Sequence, residues 1–156
     1  MRLLQALPAL AVLAACGPSY SSTGGTTTPA PAASSTMAAM SHYSANLAAV
    51  GGSTVHGTAT VQSADNVQQT VQLQISGGTP GTTYPWHIHT GSCSDGMTPI
   101  VGAPQSYTAL GTSGDGTASL LATIPVALNG RQPYHLNVHA SPTNMGTLVA
   151  CGDLAR

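Results

Sequence analysis

Hydrophobic and polar residues alternate in short runs along most of the chain. Between Val67 and Ile75, residues Val67, Gln69, Val71, Leu73 and Ile75 fall on one side, and Gln68, Thr70, Gln72 and Gln74 on the other. A period of two predicts a half-buried strand. Thr54 to Val61, rich in β-branched residues, predicts the strand before it, with Ser63 to Asn66 as the hairpin connection. The cluster Ser76-Gly77-Gly78-Thr79-Pro80-Gly81 reads as a turn. Trp86 to Thr90 is then a strand, and Gly91 to Pro104 a loop. Tyr107 to Leu110 is a short strand candidate. Thr117 to Ile124 alternates again, with Ala118, Leu120, Ala122 and Ile124 on one face. Asn129-Gly130 is a tight-turn signal. Tyr134 to Ala140 sets Tyr134, Leu136 and Val138 opposite His135, Asn137 and His139, and Leu148 to Leu154 closes the chain. No segment after residue 40 carries a helical stripe. Many short strands with no helix predict an all-β domain, a β-sandwich or barrel.

The first 40 residues follow other rules. Residues 1–15 read as a signal peptide: Met1-Arg2 is followed by an apolar run from Leu3 to Ala15 that is too short to span a bilayer as a mature helix. Leu13-Ala14-Ala15-Cys16 resembles the bacterial lipobox, which implies cleavage before Cys16 and lipidation of it. Residues 16–40 are dominated by Gly, Ser, Thr, Pro and Ala, and read as a flexible linker. The folded domain is expected over 41–156. The expected location is the bacterial cell envelope, with the membrane as a partner through the lipid.

Charge narrows the function. The 156-residue chain has no Lys, Glu or Phe, and after Cys16 only Arg131, Arg156, Asp65, Asp95, Asp115 and Asp153 are charged. No basic patch is available to hold nucleic acid or to steer an anion. Paired-carboxylate chemistry and a Gly-x-Ser-x-Gly nucleophile are equally unsupported. With Cys16 assigned to lipid, Cys93 and Cys151 most simply form one disulfide in an exported domain.

The histidines carry the sharper signal. His87 and His89 flank Ile88 in a predicted strand, so both project to one face with Cα atoms about 6.6 Å apart. Imidazole pairs suit copper. His139, near the end of a later strand, is the natural third ligand. His135 lies on the same face but about 13 Å further along that strand, too far to share an ion with His139 in a straight strand. Met97 and Met145 are candidate soft ligands whose simpler role is loop packing. His42 and His56 have no assigned role.

His87-Ile88-His89 with Gly91-Ser92-Cys93, then Asn137-Val138-His139, then Ala150-Cys151-Gly152, resembles the copper/zinc superoxide dismutase family in order and approximate spacing. The resemblance runs from about Thr54 to Leu154. It implies a Greek-key β-sandwich, His87, His89 and His139 as copper ligands, and a Cys93–Cys151 disulfide. The departures are specific. Ser94 to Pro104 holds no histidine to bridge copper and zinc, Gln105 to Gly114 holds no further zinc ligand, and Gly146 to Ala150 holds no guiding arginine. Copper is therefore expected and zinc is not. Three functions follow: a copper-binding, superoxide dismutase-like lipoprotein acting on superoxide, a non-enzymatic copper carrier, or a metal-free structural sandwich.

Overall fold

The computed structural model describes residues 41–65 and 67–156. The expected signal peptide, lipidated Cys16 and linker lie outside the described residues. Nine strands account for the architecture: β1 (His42–Ala49), β2 (His56–Asp65), β3 (Gln68–Ser76), β4 (Thr83–Tyr84), β5 (Trp86–Thr90), β6 (Leu110–Gly111), β7 (Ala118–Ile124), β8 (Tyr134–Ser141) and β9 (Asn144–Asp153). Two single-turn 3-10 helices, Cys93–Asp95 and Pro104–Ser106, are the only helices among the described residues. The domain is all-β, as the alternation predicts.

Seven strands form one antiparallel sheet in the order β5-β8-β9-β1-β2-β3-β7, while β4 pairs with β6. Neighbours distant in sequence, such as β9 beside β1 and β7 beside β3, mark the crossovers of a Greek-key sandwich. The sheet curls into a half-barrel around one apolar core. Val61, Val71, Leu73, Trp86, Ile88, Leu136, Val138 and Ala150 are fully enclosed there. Curling brings some backbones into close approach. A Cβ on Gly57 would overlap the Gln74 carbonyl oxygen, so glycine permits the tight β2–β3 contact at that point.

Several boundaries differ from the sequence reading. β1 lies outside the strands that the sequence pattern predicts, although Tyr43, Ala45 and Leu47 alternate inward. Its small and polar residues give a weak signal beside the Ala/Ser-rich segment before it. β2 continues to Asp65 and β3 begins at Gln68, which leaves Val67 in the turn, outside the strand and in solvent. Asp65 Oδ1 secures this turn by accepting from the Val67 and Gln68 amides. Tyr107 follows the second 3-10 helix, and the short strand there is Leu110–Gly111. β9 begins at Asn144, four residues before Leu148, because the tight β8–β9 hairpin pairs Ser141 with Asn144.

Candidate metal centre

β5 and β8 are buried on both faces. Their inner face contributes Trp86, Ile88, Leu136 and Val138 to the core. Their outer face is polar: in the β5–β8 register His87 lies opposite Asn137, and His89 opposite His135. A register shift between Val138 and His139 interrupts the β8–β9 ladder. Such irregularities re-aim side chains. The His139 amide donates to the Pro85 carbonyl at 2.8 Å, fixing the strand end beside β5.

The segment from Gly91 to Ser106 covers this polar face. Part of it runs along the free edge of β5, where the Thr90 amide donates to the Pro99 carbonyl and the Val101 amide to the Ile88 carbonyl. At its start the Cys93 amide donates to Asp153 Oδ1 at 2.7 Å, and Cys93 is disulfide-bonded to Cys151. Cys151 pairs with Asn137 across β8–β9, so the bridge fastens the cover next to the histidines. The turn between is tightened by Asp95, which accepts from the Ser92 amide and hydroxyl. These bonds hold its carboxyl below the usual carboxylate range.

Under this cover His87, His89 and His139 are 4%, 1% and 1% exposed. Each offers one ring nitrogen, and the three nitrogens lie within 4.8 Å of one another. Their partners assign the protons. His89 Nδ1 donates to the Thr98 carbonyl at 2.6 Å, and His139 Nδ1 donates to the Met145 carbonyl at 2.6 Å. Both rings therefore present a bare Nε2. The Pro104 backbone acts on the His87 ring and partly offsets the burial that lowers its pKa. Nδ1 of the His87 ring lies 3.1 Å from His139 Nε2, within hydrogen-bond distance. His87 Nδ1 and His139 Nε2 thus face each other. His89 Nε2 has no partner at all.

Burial keeps these rings neutral. It pushes the His87 pKa down to about 4, aided by repulsion from His139 and then His89 as the rings charge. Burial also lowers His89 and His139. Three neutral imidazoles gathered in this way can hold a metal ion at neutral pH with little proton competition.

Two further groups frame the site. Tyr107 packs edge-on against His87, with ring centres 5.1 Å apart, and donates its hydroxyl to the Val101 carbonyl. Burial pushes its pKa up to about 12, so it stays protonated. His135, fully buried, stacks on His89 at 5.3 Å and meets the Asn137 side chain through Nε2. It stands outside the three-nitrogen group, in agreement with the spacing along β8. Met97 is exposed, and Met145 contributes its carbonyl to orient His139. The orienting groups Thr98 and Met145 act through backbone carbonyls, which leave no residue-type signal in a sequence.

Comparison with known proteins leaves the family open: no protein-family model matches the chain, and no curated protein matches it in sequence.

Proposed function

We propose that this domain binds a single copper ion through His87 Nδ1, His89 Nε2 and His139 Nε2, and that it is a superoxide dismutase-like protein of the cell envelope. The observation that carries the proposal is the trio of buried ring nitrogens, all within 4.8 Å of one another. His89 Nε2 is buried without a hydrogen-bond partner, and a cation held between the three rings would satisfy it. A three-imidazole set without carboxylate or thiolate suits copper, which stands at the top of the divalent affinity order. When bound, copper supplies one-electron redox chemistry. The protein's part is to fix His89 and His139 with backbone carbonyls, hold the rings neutral and exclude bulk water. The disulfide and the lipobox-like leader support export to an oxidising compartment.

Superoxide conversion is the activity that the resemblance implies. A non-enzymatic copper carrier is the second reading. It is favoured by the near-complete burial of all three rings and by the lack of a charged residue between Gly96 and Gly114. Copper titration of the full chain beside His139→Ala, with a superoxide-removal assay, decides between them. The proposal expects one copper per chain, with affinity at least about 100-fold weaker in the variant, since even partners behind a ligand cost 10–100-fold. Fast superoxide removal that disappears in the variant establishes the enzyme. Binding without removal establishes the carrier. Equal, weak binding by both proteins overturns the copper site.

A further inference from the structure

The two edges of the long sheet are treated differently. At one end, β5 has its outer edge occupied by Pro99 to Val101. At the other end lies β7, which pairs with β3 on one side. Among the described residues no strand pairs with its other side.

An open edge is a template for strand addition, and proteins usually blunt it with charge, proline or a bulge. β7 reads Ala-Ser-Leu-Leu-Ala-Thr-Ile and has none of these within its seven residues. Its ladder with β3 is regular from Ala118 to Ile124. Asp115 and Pro125 lie outside the strand.

Both faces of β7 are also unfinished. On the inner face Ala118, Leu120 and Ala122 are only partly buried. Their β3 partners Ile75, Leu73 and Val71 are fully enclosed. The core layer therefore stops short at this strand. On the outer face Leu121 is 72% exposed, surrounded by hydroxyl and amide side chains.

We propose that β7 pairs antiparallel with β7 of a second copy of this chain, joining two sheets into one. The strand is its own complement. Leu121 is its midpoint, so a two-fold axis there places Leu121 against Leu121, Ser119 against Thr123, Leu120 against Ala122 and Ala118 against Ile124. Every pair is apolar or hydroxyl, and no like charges meet. The exposed leucine gains an apolar partner, and the partly buried inner row is extended by its own copy. A twofold contact of this kind closes at two subunits. The pairing leaves the histidine face free, because that face lies at the opposite end of the sheet.

Light scattering and disulfide trapping test the dimer in the full chain carrying Cys16→Ser, so that no thiol outside the Cys93–Cys151 bridge is free. Directly opposed residues in an antiparallel pair have Cβ atoms about 4.5–5.5 Å apart. Leu121→Cys is therefore expected to oxidise to a covalent dimer, while Thr60→Cys, on β2 of the same face, stays monomeric. Without added cysteine, the mass is expected to be twice that of the chain and to fall by half in Leu121→Lys. Circular dichroism of Leu121→Lys identifies any loss due to misfolding, and trapping then decides independently. A monomeric mass at millimolar concentration, or trapping of Leu121→Cys no faster than Thr60→Cys, overturns the proposal. A monomer whose β7 is covered by its own residues 16–40 gives that same negative result.

Discussion

The sheet carries two polar faces built on the same alternation, and they meet opposite fates. On β1, β2, β3 and β7, outward residues form rows across the strands: Ser44, Thr60, Gln72 and Leu121, then Asn46, Thr58, Gln74 and Ser119. Most of these residues remain in solvent. On β5 and β8 the outward residues are His87, His89, His135, Asn137 and His139, and all are enclosed. Strand periodicity is the same in both halves. The difference lies in Gly91 to Ser106, which lies over one face and has no counterpart on the other among the described residues. A polar face in solvent needs no internal partners. A polar face under a cover must find them, and the remaining bare nitrogens become a place for a cation.

The largest effect is expected from releasing the cover. Cys93 and Cys151 are 58 residues apart in sequence. In the chain-entropy model a loop of that length makes the bridge worth about 4 kcal/mol. The double variant Cys93→Ser, Cys151→Ser is expected to lose about that much in urea unfolding and to lose copper binding, as the histidines become open to water. Full stability with copper binding unchanged would show that the backbone bonds at Pro99 and Val101 hold the cover alone.

Acid provides the next break. For the metal-free protein, the folded His87 pKa of about 4 lies below the model value of 6.5. The unfolded chain therefore binds more protons between those values. The contribution from keeping this ring neutral is fully present above about pH 6.5 and is lost as pH falls towards 4. It is on the order of 3 kcal/mol for His87 alone. His89 and His139 act in the same direction. Urea midpoints of metal-free protein should fall steeply over that window, and His87→Asn should flatten the slope. An unchanged slope in the variant would place the acid sensitivity elsewhere.

Much of the first face was legible from period two alone. Gln69, Val71, Leu73 and Ile75 do point inward, and Gln72 and Gln74 outward. The exception is Val67, since the hairpin turn takes it before the strand begins. In β1, alanine and serine make the alternation faint. On the second face, the trio His87, His89 and His139 was legible from spacing and order, and so was the exclusion of His135 from it. Its burial was not. Alternation placed His135, Asn137 and His139 opposite the apolar row, which for an ordinary half-buried strand means solvent. What covers a strand is decided by a loop distant in sequence. The carbonyls of Thr98 and Met145, which set the tautomers of His89 and His139, are decided by backbone path and by no side chain.

A third break compares matched amides on the two faces. Asn137 is fully enclosed and meets His135 Nε2 at 3.3 Å. Asn137→Ala leaves that buried nitrogen without a partner, at an expected cost of about 1–3 kcal/mol. It also loosens the stack of His135 on His89, so copper affinity is expected to fall with stability.

The smallest effects belong to the open face. Gln72 sits on β3 between Thr60 and Leu121, with its side chain in solvent. Removing its amide strands no donor or acceptor, because water replaces it. Gln72→Ala and Thr60→Ala are each expected to change stability by no more than about 0.5 kcal/mol and to leave copper affinity unchanged. Losses comparable to Asn137→Ala would mean that this face, too, has a cover in solution. If those losses grew with protein concentration, the cover would be a second copy reaching across the sheet from β7. If they did not, it would be a segment of the same chain.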